Sequence, residues 1–176
     1  MVETADLVEK IRVIPDFPEK GVLFRDITTL LKDARAFRQV VDIFADHYRD
    51  KMVEAVLAIE SRGFIFGAPL ADRLQLPFIP VRKFGKLPAE TARVDYELEY
   101  GRETLEIHRD ALRPGQRVVI MDDLLATGGT GLATAQLVER LHGVVVELAF
   151  LVELTYLHGR EKLKDYSVFS ILAFDE

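Results

Sequence analysis

Short uninterrupted apolar runs alternate along this chain with stretches whose apolar positions recur every three or four residues. Ala55-Val56-Leu57-Ala58-Ile59, Phe78 to Val81, Val118-Val119-Ile120-Met121, Val144 to Val152 and Phe169 to Phe174 are runs of the first kind. They read as strands buried on both faces. Phe37, Val40, Val41, Phe44 and Tyr48 make one stripe at helical spacing, and Asp33 suits its N-cap. Helical periodicity also spans about Phe64 to Leu74 and the stretch that ends near Leu141, while Leu7, Val8 and Ile11 suit a short first helix. Val13 to Asp26, interrupted by Pro15, Pro18 and Gly21, reads as an irregular segment. Val94, Tyr96 and Leu98 alternate with polar residues, as do Leu105 and Ile107 beyond Tyr100-Gly101-Arg102, which predicts a hairpin or a long two-stranded flap.

Strand and helix in alternation predict an α/β fold: one domain over residues 1–176, with a mainly parallel twisted sheet and helices on both faces. Ligands of such sheets bind beyond the carboxyl ends of the strands. Glu60-Ser61-Arg62-Gly63 and Asp122 to Thr130 each follow an apolar run, so the two loops should share one crevice.

Composition narrows the function classes. At 176 residues the chain can bury about two-thirds of its unfolded surface. A net charge of −6 argues against nucleic-acid binding but leaves room for a local basic pocket. The lack of cysteine excludes disulfides, thiol catalysis and Cys-based zinc sites. His47, His108, His142 and His158 show no metal-ligand spacing. The acidic start, Met1 to Asp6, has no apolar leader core, and no stretch approaches roughly 18 apolar residues. The expectation is a cytoplasmic protein that engages no membrane.

The most informative string is Val118-Val119-Ile120-Met121-Asp122-Asp123-Leu124-Leu125-Ala126-Thr127-Gly128-Gly129-Thr130. A strand, a small-residue loop and a helix start are the parts of a phosphate cradle, where backbone N–H groups and the helix dipole converge on an anion. Gly128 and Gly129 let the backbone come close, and Thr127 and Thr130 add hydroxyls. Asp122 and Asp123 supply charge where a sugar diol or a hydrated Mg²⁺ could be held. The string is neither a Walker loop nor a dinucleotide fingerprint.

That string resembles the phosphoribosyl-pyrophosphate (PRPP) signature of type I phosphoribosyltransferases. The resemblance implies that Ala126 to Thr130 wrap the 5-phosphate of PRPP and that Asp122 and Asp123 face the ribose hydroxyls. Further strings resemble those of the adenine-specific members of the family. They are Pro15-Asp16-Phe17-Pro18, Gly21-Val22-Leu23-Phe24-Arg25-Asp26-Ile27, Glu60-Ser61-Arg62-Gly63-Phe64, Arg82-Lys83-Phe84-Gly85-Lys86-Leu87-Pro88, Leu98-Glu99-Tyr100-Gly101 and Leu151-Val152-Glu153-Leu154-Thr155. The reaction so implied moves the 5-phosphoribosyl group of PRPP to N9 of adenine, giving AMP and pyrophosphate in purine salvage. The likeness also implies Mg²⁺ held by PRPP and water with no direct protein ligand, a homodimer, an N-terminal hood (about 1–30) and a flexible flap (about 84–108).

Each string suits that chemistry. Adenine is planar and uncharged, so it needs a stacking ring and hydrogen bonds along its edge. Phe24 can stack, the backbone of Leu23 and Arg25 can read the N1 and N6 edge, and Leu154 can close the other face. The alternative for Phe24 is a core aromatic. Ser61, Arg62 and Lys86 suit the departing pyrophosphate, and Arg82 and Lys83 are candidates for reaching the pyrophosphate of a partner subunit. A charge cluster like Arg82 to Lys86 can equally be a solvated face. By resemblance the peptide joining Glu60 and Ser61 is cis, and Glu99 is the general acid–base at N7 of the base. The alternative for Glu99 is an outward acid on an exposed strand, with Glu97 as the nearby decoy. No Lys occupies Leu151 to Thr155, which favours a 6-amino base over a 6-oxo purine. A regulator that merely senses PRPP would need spare length or a basic face, and this chain has neither.

Overall fold

The computed structural model describes residues 5–98 and 101–176. Its frame is strand β3 (Ala55–Ile59), third in chain order, all five residues of which are buried. An uninterrupted apolar run has no polar face to show water, so it needs cover on both sides. It pairs in parallel with Phe78–Lys83 on one side and with Arg117–Leu125 on the other. Two more parallel strands, Val144–Leu154 and Val168–Phe174, extend the sheet beyond the latter. At the opposite edge Gly101–His108 runs antiparallel to Phe78–Lys83, and Thr91–Leu98 antiparallel to Gly101–His108. With the N-terminal strands β1 (Arg12–Pro15) and β2 (Leu23–Asp26) counted first, these are β4 (Phe78–Lys83), β5 (Thr91–Leu98), β6 (Gly101–His108), β7 (Arg117–Leu125), β8 (Val144–Leu154) and β9 (Val168–Phe174). The order across the seven-stranded sheet is β5-β6-β4-β3-β7-β8-β9.

Helices cover both faces, as the alternation predicts. Val56, Ala58, Val119 and Met121 point to a core shared with α3 (Ala34–Tyr48) and α4 (Arg62–Leu74). Leu57, Ile59, Val118 and Ile120 point to the other, shared with α5 (Gly129–Arg140) and the inner residues Val94, Leu105 and Ile107 of the β5–β6 hairpin. Asp33 caps α3 as expected, accepting bonds from the N–H groups of Arg35 (3.0 Å) and Ala36 (3.2 Å).

Three local readings change. The segment from Val13 to Asp26 is not irregular, because β1 and β2 form a separate antiparallel hairpin. Its signal was hidden by a long connection that contains Pro18 and Gly21 and by strands only four residues long. The first helix, α1, covers only Ala5–Val8, and Ile11 packs into the core from outside it. Strand β7 continues through Asp122 and Asp123 to Leu125, so the two acids are strand residues. Short helices α2 (Thr28–Leu31) and α6 (Gly159–Lys162), and a 3₁₀ turn at Thr155–Leu157, are too brief to leave a periodic trace.

Helix α4 lies unusually close to the sheet. A Cβ on Gly67 would stand 2.5 Å from Cβ of Ala58 and 3.3 Å from the Phe78 ring. Gly67→Ala should therefore lower stability by about 1–3 kcal/mol through overpacking, against the roughly 1 kcal/mol that better helix propensity would add. Denaturant unfolding measures the balance. A more stable variant would mean that α4 can move away from β3.

Candidate active site

Two turns at the carboxyl edge of the parallel sheet make the site. One leads from β3 into α4 and the other from β7 into α5. In the second, Gly128 has φ +81° and precedes α5 with no side-chain cap, which leaves the first N–H groups of the helix free to meet an anion. Only a residue without Cβ fits at 128, since a Cβ would lie 2.6 Å from the carbonyl oxygen of Gly159. Gly129 is different. Its nearest would-be Cβ neighbours are Glu97 O at 3.6 Å, the Tyr96 ring at 3.8 Å and Lys162 Nζ at 4.0 Å, so it keeps space open beneath the β5–β6 hairpin. Ala126 and Thr127 stand before this glycine pair and Thr130 in the first turn of α5.

The two turns meet at an ion pair. Gly63 sits so near β7 that a Cβ would be 2.7 Å from Met121 O. This brings Arg62, the first residue of α4, onto Asp123, whose carboxylate accepts from Arg62 Nε. Asp122 accepts a 2.9 Å bond from the N–H of Asp123. Burial, then the adjacent Asp123 charge, pushes the Asp122 carboxyl well above its ordinary range. The Glu60–Ser61 peptide just before Arg62 is cis, as the resemblance implied.

Glu60 organises the basic loop. Its carboxylate accepts from Arg82 Nη2 at 3.0 Å and Nε at 3.2 Å, from Lys86 Nζ at 2.9 Å and from the N–H of Lys83 at 3.2 Å. The Arg82 guanidinium is the largest cause holding Glu60 down to about 2. Lys86 is also fixed from behind. Glu106, only 1% exposed, accepts from the N–H groups of Lys86 (3.0 Å) and Leu87 (3.1 Å). Burial raises the Glu106 carboxyl, yet the Leu87 and Lys86 amides and the Thr91 hydroxyl hold it below its ordinary value. Lys83 Nζ pairs with Glu103 at 2.7 Å, and Glu103 in turn accepts from Tyr96 Oη at 2.9 Å. Burial is the first cause that pushes the Tyr96 phenol up to about 12.

Two cavities share the Arg62–Asp123 pair. The first, about 510 Å³, lies between Leu23, Phe24 and Arg25 of β2 and Leu124, Val152 and Leu154 at the ends of β7 and β8. The second, about 520 Å³, is lined by Ser61, Arg62, Lys83, Lys86, Asp122, Asp123 and Thr130, together with Glu60, Tyr96 and Glu103. All the base-site candidates therefore meet in the first cavity, and half of the phosphate and pyrophosphate candidates, with Asp122 and Asp123, in the second. Arg82 is turned onto Glu60, and Ala126 to Gly129 do not line the second cavity. Glu99, with Tyr100, lies outside the described residues. Glu97 is 79% exposed and pairs with Arg102 at 3.5 Å.

Sequence reasoning missed Tyr96, Glu103 and Glu106 as site-forming groups. Period-two alternation did place Tyr96 with Val94 on the inner side. Nothing local marks Glu103 or Glu106, whose partners are about 20 residues away in Arg82-Lys83-Phe84-Gly85-Lys86-Leu87-Pro88.

The depressed Glu60 carboxyl carries a pH signature. Its folded value, about 2, lies below the ordinary 4.5, so its contribution to stability is full above 4.5 and is lost as pH falls towards 2. Glu60→Gln should thus lower Tm at pH 7, and the gap to wild type should close as the pH drops through that window. A constant gap would remove Glu60 from the acid dependence.

Comparison with known proteins agrees with this geometry. Residues 26–175 match the family described as phosphoribosyl transferase domain. A curated adenine phosphoribosyltransferase of Acidobacterium capsulatum is 56% identical over 175 residues, covering 99% of this chain and 97% of the relative. The crystal structure of adenine phosphoribosyltransferase from Thermoanaerobacter pseudethanolicus superposes with a TM-score of 0.93 at 55% identity, covering 97% of this chain and 99% of that one. The Saccharomyces cerevisiae enzyme, solved with adenine and an imino-altritol bisphosphate, superposes at 0.91 with 38% identity, over 95% and 97% of the two chains. With the family spanning nearly all of its length, this chain belongs to the phosphoribosyl transferase domain family, among the adenine phosphoribosyltransferases.

Proposed function

We propose that the two cavities divide one reaction between them, adenine in the first and PRPP in the second, with the ribose beside Arg62 and Asp123. The reaction is the transfer of the 5-phosphoribosyl group of PRPP to N9 of adenine, giving AMP and pyrophosphate. The observation that carries the division of labour is the shared ion pair: a largely apolar cavity walled by Phe24 and Leu154 shares Arg62 and Asp123 with a polar cavity that Lys83, Lys86 and Ser61 also line.

In this reading Phe24 and Leu154 sandwich the base while backbone groups of Leu23 and Arg25 read its edge. The N–H groups of residues 126–130 at the uncapped start of α5 take the 5-phosphate, and Asp122 and Asp123 take the ribose hydroxyls. As the bond from C1 of the ribose to pyrophosphate breaks, Ser61, Arg62 and Lys86 hold the growing negative charge. Arg62 and Lys86 are already screened by Asp123 and Glu60. A pyrophosphate entering the cavity exchanges those carboxylate contacts for phosphate ones, so the cations are pre-positioned and never left bare.

Every described carboxylate in this cavity already has a partner: Glu60 with Arg82 and Lys86, Asp123 with Arg62, Glu103 with Lys83, and Asp122 with a backbone N–H. Such a donor set fits Mg²⁺ that arrives on PRPP oxygens and water, with Asp122 and Asp123 as the nearest groups for water-mediated contact. The ion would supply charge neutralisation of the pyrophosphate. Arg82 and Lys83 remain the pair proposed to reach a partner's pyrophosphate in a homodimer, each first leaving an acid of its own chain, Glu60 or Glu103. The hood is the β1–β2 hairpin and its surroundings, the flap is the β5–β6 hairpin, and both belong to a single domain. A cytoplasmic location is supported by the acidic, cysteine-free composition. Among the described residues no helix is long and apolar enough to cross a membrane.

Glu99 keeps the role of general acid–base at N7, on the strength of the Glu-Tyr-Gly string. Alternation along β5 puts Tyr96 inward and Glu97 outward. For Glu99 to act, the hairpin beyond Leu98 must turn over the cavity that Tyr96 and Glu103 line.

Pyrophosphate release measured with a panel of purine bases tests the base assignment. Adenine should be the best substrate, and guanine, hypoxanthine or xanthine turning over equally well would defeat it. For the acid–base, Glu99→Gln should lower kcat by about 10²- to 10⁴-fold with adenine and PRPP binding nearly intact, while Glu97→Gln changes little. Equal losses at the two positions would mean that the wrong acid has been chosen.

A further inference from the structure

The β1–β2 hairpin forms one wall of the adenine cavity but belongs to a sheet of its own, separate from the seven-stranded sheet that forms the opposite wall. Its base is held by Arg12, whose guanidinium pairs with Asp26, and by Thr29, whose hydroxyl donates to Lys10 O at 2.6 Å. Across the mouth of the cavity a different tie is made. The Arg25 guanidinium carbon lies 4.3 Å from the centre of the Phe174 ring, and Nη2 donates to the backbone carbonyl of Glu176.

The far end of that tie is itself fixed to the base site. Phe174 is the β9 partner of Leu154 in the parallel register. The Thr155 hydroxyl lies 3.0 Å from Phe174 O and 2.6 Å from Asp175 Oδ1, its one proton shared between the two acceptors. Asp175 and Glu176 line the same cavity as Phe24 and Leu154. On the hairpin side, Phe24 is backed by Phe17 in an edge-to-face contact at 5.1 Å. Arg25 Nε is buried with no hydrogen-bond partner, so the guanidinium is placed by its ring contact and by Nη2 and not by a full set of bonds.

We propose that the Arg25 side chain is a positioning residue, a clasp that holds Phe24 at stacking distance from Leu154 by tying the hairpin to residues 174–176. The inference rests on the reading of this cavity as the adenine site. The backbone of Arg25 reads the base in that reading, whereas the side chain acts at a distance, through the spacing of the two walls. A wall free to swing away makes adenine binding carry the cost of closing it. Once adenine and PRPP are bound the walls are together, so the chemical step is unaffected. PRPP contacts the other cavity and does not depend on the clasp.

Steady-state kinetics with each substrate varied in turn is the test, on the full chain, with Tm recorded for every variant. Arg25→Ala should raise KM for adenine by about thirtyfold or more, the combined worth of one exposed cation–π contact and one charged hydrogen bond. Its kcat and its KM for PRPP should stay within about twofold. Phe174→Leu should show the same split, Phe174→Tyr should restore it, and Arg25→Ala with Phe174→Leu should cost no more than the larger single change, because both remove one contact. Arg25→Lys, which keeps the charge, should fall between wild type and Arg25→Ala.

Unchanged adenine KM in Arg25→Ala, equal losses for adenine and PRPP, or additive effects in the double variant would each overturn the clasp. Phe24→Ala separates the two levels. If Phe24→Ala raises adenine KM and Arg25→Ala does not, the base site stands and the clasp fails. If Phe24→Ala leaves adenine KM unchanged, the base site itself is wrong and the clasp falls with it.

Discussion

The approach of α4 to β7 at Gly63 is the constraint on which the site depends. Two parallel strands side by side, β3 and β7, each release a turn at the same edge of the sheet, and the turns must cross without colliding. Because residue 63 has no side chain, the start of α4 lies against the backbone of Met121 and Asp122. Arg62 then has Asp123 within reach, and their ion pair lines both the apolar and the polar cavity. A larger residue at 63 would push the helix off the strand and separate the two halves of the site.

The electrostatics follow from the same crowding. Arg62, Lys83 and Lys86 crowd into one cavity, and isolated buried charge is expensive. This chain resolves the conflict by giving each cation an acid from another element: Arg62 has Asp123, Arg82 and Lys86 have Glu60, and Lys83 has Glu103. Buried Glu106 anchors the Lys86–Leu87 backbone and so fixes where the basic loop ends. The arrangement is a rigid array of donors whose present partners are carboxylates, the group most like a phosphate in charge and hydrogen-bond demand. Asp122 adds a carboxyl that burial and the adjacent Asp123 charge push upwards.

Two hairpins complete the site from opposite sides. The β5–β6 hairpin is continuous with the main sheet through β4 and lines the second cavity with Tyr96 and Glu103. The β1–β2 hairpin pairs only within itself and lines the first cavity with Leu23, Phe24 and Arg25. The first is registered by eight consecutive strand pairs, Thr91↔His108 to Leu98↔Gly101, and the second by four, Arg12↔Asp26 to Pro15↔Leu23. The shorter ladder explains why the position of the second depends on side-chain contacts such as Arg12–Asp26 and Arg25–Phe174.

Much of this protein was legible in the order of its residues. Continuous apolar runs such as Ala55 to Ile59 can only be strands covered on both faces, and the stripe from Phe37 to Tyr48 can only be one side of a helix, because burial selects those periods. The Asp-Asp and Thr-Gly-Gly-Thr strings marked the turn from a strand end into an uncapped helix start, because close backbone approach there needs small residues in sequence. Local pattern could not decide how pieces far apart would meet. That Glu60 would hold Arg82 and Lys86, that Glu106 would fix a loop 20 residues away, and that Arg25 would rest on Phe174 depend on strand order and register, which no single segment encodes. The hairpin at Arg12–Asp26 was unreadable for a related reason: two four-residue strands separated by Pro18 and Gly21 carry too little periodicity, and only their mutual pairing and the Arg12–Asp26 tie across it reveal them as strands.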